Sequence, residues 1–313
     1  MVKYYLSKEN KFEQIESLTD GCWVSMTSPS EAELLKTSEA FCLETDTLKA
    51  ALDTYERSRI ETDENYTMIL VNIPTVEHSA QELYNTIPLS IIVTKENVIT
   101  VCSEDTPVLH PFAAGKVKDF FTYKKSRFIL QILYRIATLY LQYLSIIDRT
   151  SDEVENKLHK STKNHELIEL LKLEKSLVYF TTALRSNEAV LEKLFRYDFI
   201  KKYPDDSDLL DDVIVENKQA IEMANIYSGI LSGMMDAFAS VISNNLNIVM
   251  KVLAIITVVM AIPNIIFGAF GMNVSAAGIP LSQNPWGFAI IVGATTVLSV
   301  IVSLIFNKIK LFK

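Results

Sequence analysis

Asn247, Thr257 and Asn264 interrupt an otherwise apolar run, and Asn273 stands at its end. Carboxamide and hydroxyl oxygens are neutral dipoles, able to contact a cation or its water without binding it tightly. With Met250, Ala254, Ala261 and Gly268, the first three of these polar residues recur at steps of three and four, which places them on one helical face. Leu253 borders that face. Polar groups inside a bilayer usually face a cavity or pathway. Small residues also make tight helix–helix seams there, and the pattern alone leaves both readings open. The opposite face is Val252, Ile255, Ile256, Val259, Ile262, Ile266 and Phe270, which suits lipid or a second helix.

The elements that must position these residues follow from charge. Val252 to Asn307 contains no Asp, Glu, Lys or Arg, although 22% of the whole chain is charged. Each membrane-spanning helix needs roughly 20 apolar residues, so this stretch predicts two: a first span over about 247–270 and a second over about 285–307. The outer loop is then 271–284, and a basic tail follows. Lys251 flanks one side and Lys308, Lys310 and Lys313 the other, so the positive-inside rule puts both termini in the cytosol. The second span is rich in Ile, Val and Leu with scattered small residues and reads as lipid-facing; Trp286 and Phe288 suit the interfacial belt.

The net charge of −8 hides an asymmetry, since those lysines leave the acidic surplus in residues 1–250. An acidic soluble part argues against nucleic acid as a partner and suits one that meets cations, though acid also serves solubility. Cys22, Cys42 and Cys102 are widely spaced and read as reduced, buried thiols. The start of the chain is polar and carries no secretory signal. His78, His110, His159 and His165 are scattered, and no nucleophile elbow, phosphate loop or His-Glu-x-x-His motif is present, so the reading is of a protein that is not an enzyme and has no organic cofactor.

The first segment, 1–122, reads as a cytosolic α/β domain. Val2–Leu6, Cys22–Met26, Thr67–Ile73 and Ile91–Cys102 are β-favouring runs, the last broken by Lys95-Glu96-Asn97 as a hairpin turn would be. Ser30 and Glu33 form a capping box after Pro29. A mixed sheet with helices packed on it is expected. From Ser126 to Tyr197 the apolar residues shift to helical spacing, predicting an antiparallel pair of long helices in the region 123–246. A last helix starts at the acidic cluster Asp205, Asp206 and Asp208, where negative charge favours a helix N-terminus. The cluster lacks the glycine and glutamate of an EF-hand loop. From Leu209 to Phe270 this helix has about 60 residues and at ~1.5 Å each would reach ~90 Å.

Gly271-Met272-Asn273 between two terminal spans resembles the signature of the CorA family of divalent-cation channels. Asp236-Ala237-Phe238-Ala239-Ser240, Ser243-Asn244, Asn247 and Val249 to Leu253 are similar to that family's stalk-to-membrane sequence. The order of an α/β start, long central helices and one long final helix matches as well, so the likeness covers the whole chain. The resemblance implies a funnel-shaped homopentamer in the plasma (inner) membrane, with the first span of each subunit lining one pore. It implies that Gly271 ends the helix sharply by a backbone conformation closed to other residues, that Met272 packs to hold the loop, and that Asn273 presents its amide at the pore mouth. Asn247 and Asn264 become further polar rings, and Met250 with Leu253 a hydrophobic constriction. Asp236 occupies the place of a regulatory metal ligand, with Asp53 or Asp46 as its acidic partner, although Lys49 stands where an acid is expected. Two other departures are an outer loop without acid and Phe270 in place of tyrosine.

The function implied is passive Mg²⁺ uptake driven by the membrane potential and gated by intracellular divalent ion. Two alternatives stand beside it: a Zn²⁺, Co²⁺ or Ni²⁺ transporter of the same superfamily, and a membrane-tethered sensor that conducts nothing.

Overall fold

A computed structural model describes residues 1–8, 11–77, 83–158, 164–196, 204–273, 280–281 and 284–308. The chain forms two compact units, Met1–Met235 and Asp236–Lys313.

The first unit is built on a seven-stranded sheet. Its strands are β1 (Val2–Lys8), β2 (Lys11–Ile15), β3 (Trp23–Thr27), β4 (Arg59–Thr62), β5 (Tyr66–Glu77), β6 (Leu83–Thr94) and β7 (Val98–Cys102), in the order β2-β1-β3-β7-β6-β5-β4. Only β3 and β7 pair in parallel, with Val24 opposite Ile99; the other neighbours are antiparallel. The mixed sheet is therefore the one expected, and Lys95-Glu96-Asn97 closes the β6–β7 hairpin, where the Asn97 N–H donates to Thr94 Oγ1 at 3.0 Å. The sequence reading did not include β2 or β4.

Strand residues alternate between two cores, as the two-residue period of a strand requires. On β5, Ile69, Val71 and Ile73 face one core while Met68 and Leu70 face the other. The smaller core is closed by α1 (Glu31–Phe41), the short helix α2 (Thr45–Lys49) and a 3₁₀ turn at Ala50–Leu52. The capping box at α1 is present, with Ser30 Oγ accepting from the Glu33 N–H and the Ser30 N–H donating to the Glu33 carboxylate. Those hydrogen bonds hold the Glu33 carboxyl below its usual range. At the other end Cys42 takes the left-handed conformation (φ 51°) that glycine usually fills. Cys42 is exposed, unlike the buried Cys22 and Cys102, so the expectation of three buried thiols fails at that cap. Burial pushes the Cys102 thiol up to about 11.

The larger core lies under the long helices. After the short α3 (His110–Ala113) come α4 (Lys125–Leu158), α5 (Asn164–Leu194) and α6 (Pro204–Phe270). Tyr143 stacks on Phe180, and Ala137 and Asn187 line one small cavity, so α4 and α5 run antiparallel. Asn187 fastens α5 to the sheet: its Oδ1 accepts from the Asn72 N–H at 2.9 Å and its Nδ2 donates to the Asn72 carbonyl at 2.7 Å. Tyr140 donates to the same carbonyl at 3.0 Å. The Asn72 N–H and carbonyl point toward the β4 side, where β4 begins only at Arg59 opposite Leu70, so side chains of α4 and α5 serve them instead of a strand.

The start of α6 packs into this core through Leu210, Val213, Ala220 and Ala224. Asp206 is buried, 3.7 Å from Arg127 on α4. Burial raises its pKa and the guanidinium opposes that shift. The acid expected to serve only as a helix-terminus charge thus also joins two helices.

Candidate pore-lining face

The second unit consists of the end of α6 and α7 (Gly287–Lys308). Among the described residues three helices are long and apolar enough to cross a membrane: Lys125–Leu158, Asp205–Phe270 and Gly287–Phe306. Half of the most apolar stretch of the first is buried, against 0% and 6% for the other two. α4 spends its apolar face on the soluble core; α6 and α7 do not.

Within this unit the two faces of α6 differ. Val252, Ile255, Val259, Ile262, Ile266 and Phe270 are half-buried. On α7, Ile291, Val292, Ser299 and Val302 are half-buried and Thr295 is buried, again at helical spacing. On both helices the less exposed residues thus fall on one face. The α7 stripe was absent from the sequence reading, which took this helix as lipid-facing; its signal was the set of small residues Thr295 and Ser299 among larger ones. Their hydroxyls donate back along the helix, to Ile291 O at 2.7 Å and Thr295 O at 3.0 Å, and so are satisfied on that face.

The other face of α6 carries Asn247, Met250, Leu253, Ala254, Thr257, Asn264 and Gly268, all exposed, with Ala261 half-buried at its margin. Thr257 Oγ1 donates to the Leu253 carbonyl at 2.8 Å, leaving its lone pairs outward to accept. Pro263 lies inside the helix and, having no N–H, leaves the Val259 carbonyl without its intrahelical donor. In a membrane such a loss is tolerated where neighbouring groups or water replace the bond.

α6 ends at Phe270. The Gly271 N–H donates to the Phe267 carbonyl at 2.9 Å. Among the described glycines only Gly21 and Gly115 have positive φ, so Gly271 does not use the backbone freedom that the sequence reading assigned it. A Cβ there would sit 3.2 Å from the Phe267 carbonyl oxygen, so a side chain at this position requires a small shift of the helix end. Met272 is 61% exposed, so within one chain it packs on little. Asn273 is exposed immediately past the helix end. At the start of α7, Asn284 Oδ1 accepts from the Trp286 N–H at 3.0 Å, and a Cβ on Gly287 would come within 2.4 Å of the Leu281 carbonyl oxygen. The loop residues Ser275, Ser282 and Gln283 lie outside the described residues.

Of the carboxylates expected to hold a regulatory ion, Asp236 is exposed on α6 in the second unit. Asp53, also exposed, follows the 3₁₀ turn in the first, and its Oδ1 accepts from the Tyr55 N–H at 3.0 Å. Lys49 pairs with Glu31 at 3.8 Å. Among the described residues no three His, Cys, Asp or Glu side chains gather as a metal site within one chain. His110 and His165 are exposed beside Asp105 and Glu169; His78 and His159 lie outside the described residues.

Comparison with known proteins bears on the whole chain. The family profile described as CorA-like Mg²⁺ transporter protein matches residues 19–308. The cobalt/magnesium transport protein CorA of Methanocaldococcus jannaschii is 28% identical over 295 residues, covering 91% of this chain and 90% of that protein. Its namesake from Thermotoga maritima is 25% identical over 296 residues, covering 92% and 82%. The solved complete structure of the CorA magnesium transporter from M. jannaschii superposes with a TM-score of 0.82 at 25% identity, over 98% of this chain and 97% of that one.

Proposed function

The chain belongs to the CorA-like family of Mg²⁺ transporters, and from that premise we propose that it is a homopentameric channel for passive Mg²⁺ uptake across the plasma (inner) membrane. Two spans per chain cannot enclose a pore, so the pathway is built from several copies of α6. The observation that carries this reading is that the half-buried face of α6 is wholly apolar, while Asn247, Thr257, Asn264 and the small residues between them are exposed on the face away from it, with Met250 and Leu253 among them. Around an axis, the exposed face becomes a series of neutral rings: Asn247, Thr257, Asn264 and, at the mouth, Asn273. Mg²⁺ dehydrates reluctantly and keeps several waters when bound. Rings of amide and hydroxyl oxygen contact such a hydrated ion without stripping it. Met250 and Leu253 supply the hydrophobic constriction.

Transport is downhill, with the membrane potential worth about 2.3 kcal/mol per elementary charge per 100 mV, doubled for a divalent ion. The lysines flanking the spans keep both termini in the cytosol. High internal Mg²⁺ closes the channel by binding the closed state better, and Asp236 with Asp53 are the carboxylates assigned to that role.

Between positions 247 and 307 there is no Cys or His, which argues against direct binding of Zn²⁺ or Ni²⁺. The relatives above are named for cobalt as well as magnesium, so Co²⁺ is the first competitor to examine. In liposomes holding the full chain and an imposed inside-negative potential, Mg²⁺ influx should rise with the potential and compete with Co²⁺. No divalent influx from folded, oligomeric protein would overturn the channel in favour of a sensor, and Zn²⁺ influx without Mg²⁺ influx would overturn the ion.

A further inference from the structure

Away from α6, the first unit holds an open cleft of about 360 Å³ between β6, α4 and α5. Its size falls within the range of small-molecule sites. The floor is apolar, made by the buried Tyr84, Val154 and Leu173. The Tyr84 ring packs on Tyr143, with centres 5.2 Å apart, and on Phe180 at 6.1 Å, so this wall is formed before any ligand arrives. Around the floor stand Glu153 and Lys157 of α4, Glu169 and Lys172 of α5, and the Thr150 hydroxyl. Glu153 and Lys157 have the spacing and the order that favour an ion pair along a helix, yet no ion pair joins them and both border the cleft. Thr150 Oγ1 donates to the Ile146 carbonyl at 2.8 Å and keeps its lone pairs to accept.

Two carboxylates against two ammonium groups leave the rim without net charge, so the attraction felt by a molecule of one sign is cancelled by the other pair. A molecule that carries both signs at one end and an apolar body at the other meets a complement to each part. We propose that the cleft binds such a zwitterion, a free amino acid with an aromatic or branched side chain. Its ammonium donates to Glu153 and Glu169, its carboxylate accepts from Lys157 and Lys172, and its side chain lies on Tyr84, Val154 and Leu173. Hydrogen bonds between ionised partners are the strong ones, and an aromatic ring set against Tyr84 adds to the area it buries. A ligand so held ties α4 to α5. Binding there does not depend on ion conduction, since none of these residues belongs to α6.

Thermal melts of the full chain in detergent, titrated with L-phenylalanine, read this directly, because a ligand held by the folded state alone raises the melting temperature with its concentration. The rise should saturate, and should be smaller with phenethylamine or hydrocinnamate, which carry one charge each, and with glycine, which has no apolar body. Glu153→Gln with Lys157→Met changes two exposed side chains and should weaken apparent binding roughly tenfold or more, the loss expected for hydrogen bonds to charged groups. No saturable rise with L-phenylalanine overturns the proposal. So does an equal rise with either singly charged analogue or with inorganic phosphate, and so does unchanged binding in the double variant. Ion flux is not the readout, so a parent chain that conducts nothing yet binds the amino acid keeps the cleft and loses the channel.

Discussion

α4 and α7 are both apolar enough to cross a membrane, yet the structure treats them oppositely. α4 is amphipathic: Phe128, Ile132, Leu139 and Leu144 are buried in the core, while Lys125, Arg127, Arg135 and Arg149 sit among its less buried positions. α7 has no charged residue from Gly287 to Asn307, and most of its Ile, Val and Leu side chains are exposed. A helix apolar on one stripe is made for a protein core, and one apolar all round is made for lipid. Hydropathy alone does not separate them; the distribution of charge around the helix does. α6 joins the two regimes, soluble in its first half and free of charge from Val252 onward.

Substitutions that exchange the two environments break or sharpen this contrast. The largest effect is expected in the α4 core, where Leu144→Ala should cost about 2–5 kcal/mol of unfolding free energy; the same truncation at the exposed Leu298 of α7 should cost far less, measured by denaturant or thermal melts. A charge reverses the ranking. Leu298→Lys places an ammonium near the middle of a lipid-facing span at about 2.5–3.5 kcal/mol and should reduce membrane insertion, whereas Tyr134→Lys on the outer side of α4 should stay within about 0.5 kcal/mol. Gly287→Ala forces the Leu281 carbonyl to shift, and should lower the thermal stability of the α6–α7 hairpin without changing the first unit. Smallest is Cys42→Gly, which relieves a left-handed cap and should stabilise the first unit by about 0.5–1 kcal/mol. An unchanged or lower melting temperature for that variant would remove the strain argument at Cys42.

The contrast also explains what could be read from sequence. The long helices were legible because the apolar spacing of α4 and α5 repeats for many turns, and the spans because charge vanishes. The centre of β5, the end of β6 and β7 were legible from Val, Ile and Leu runs buried on both faces, whereas Leu83–Ser90 of β6, interrupted by Asn85, Thr86 and Pro88, was not read as strand. β2, Lys-Phe-Glu-Gln-Ile, and β4, Arg-Ile-Glu-Thr, lie at the sheet edges, where charged side chains guard the open ladder and mask the strand pattern. The backbone conformation of Gly271 was misjudged because a glycine in a Gly-Met-Asn motif does not by itself require positive φ. The less exposed face of α7 was missed because threonine and serine that bond to their own helix look like ordinary small residues.

The account turns on Asn273 as the mouth of a cation pathway. Mg²⁺ influx into liposomes should be measured for the parent chain beside Asn273→Ala, at matched amounts of intact oligomer. The account predicts influx in the parent and its loss in the variant. Equal influx in both would contradict the placing of the selective ring at Asn273.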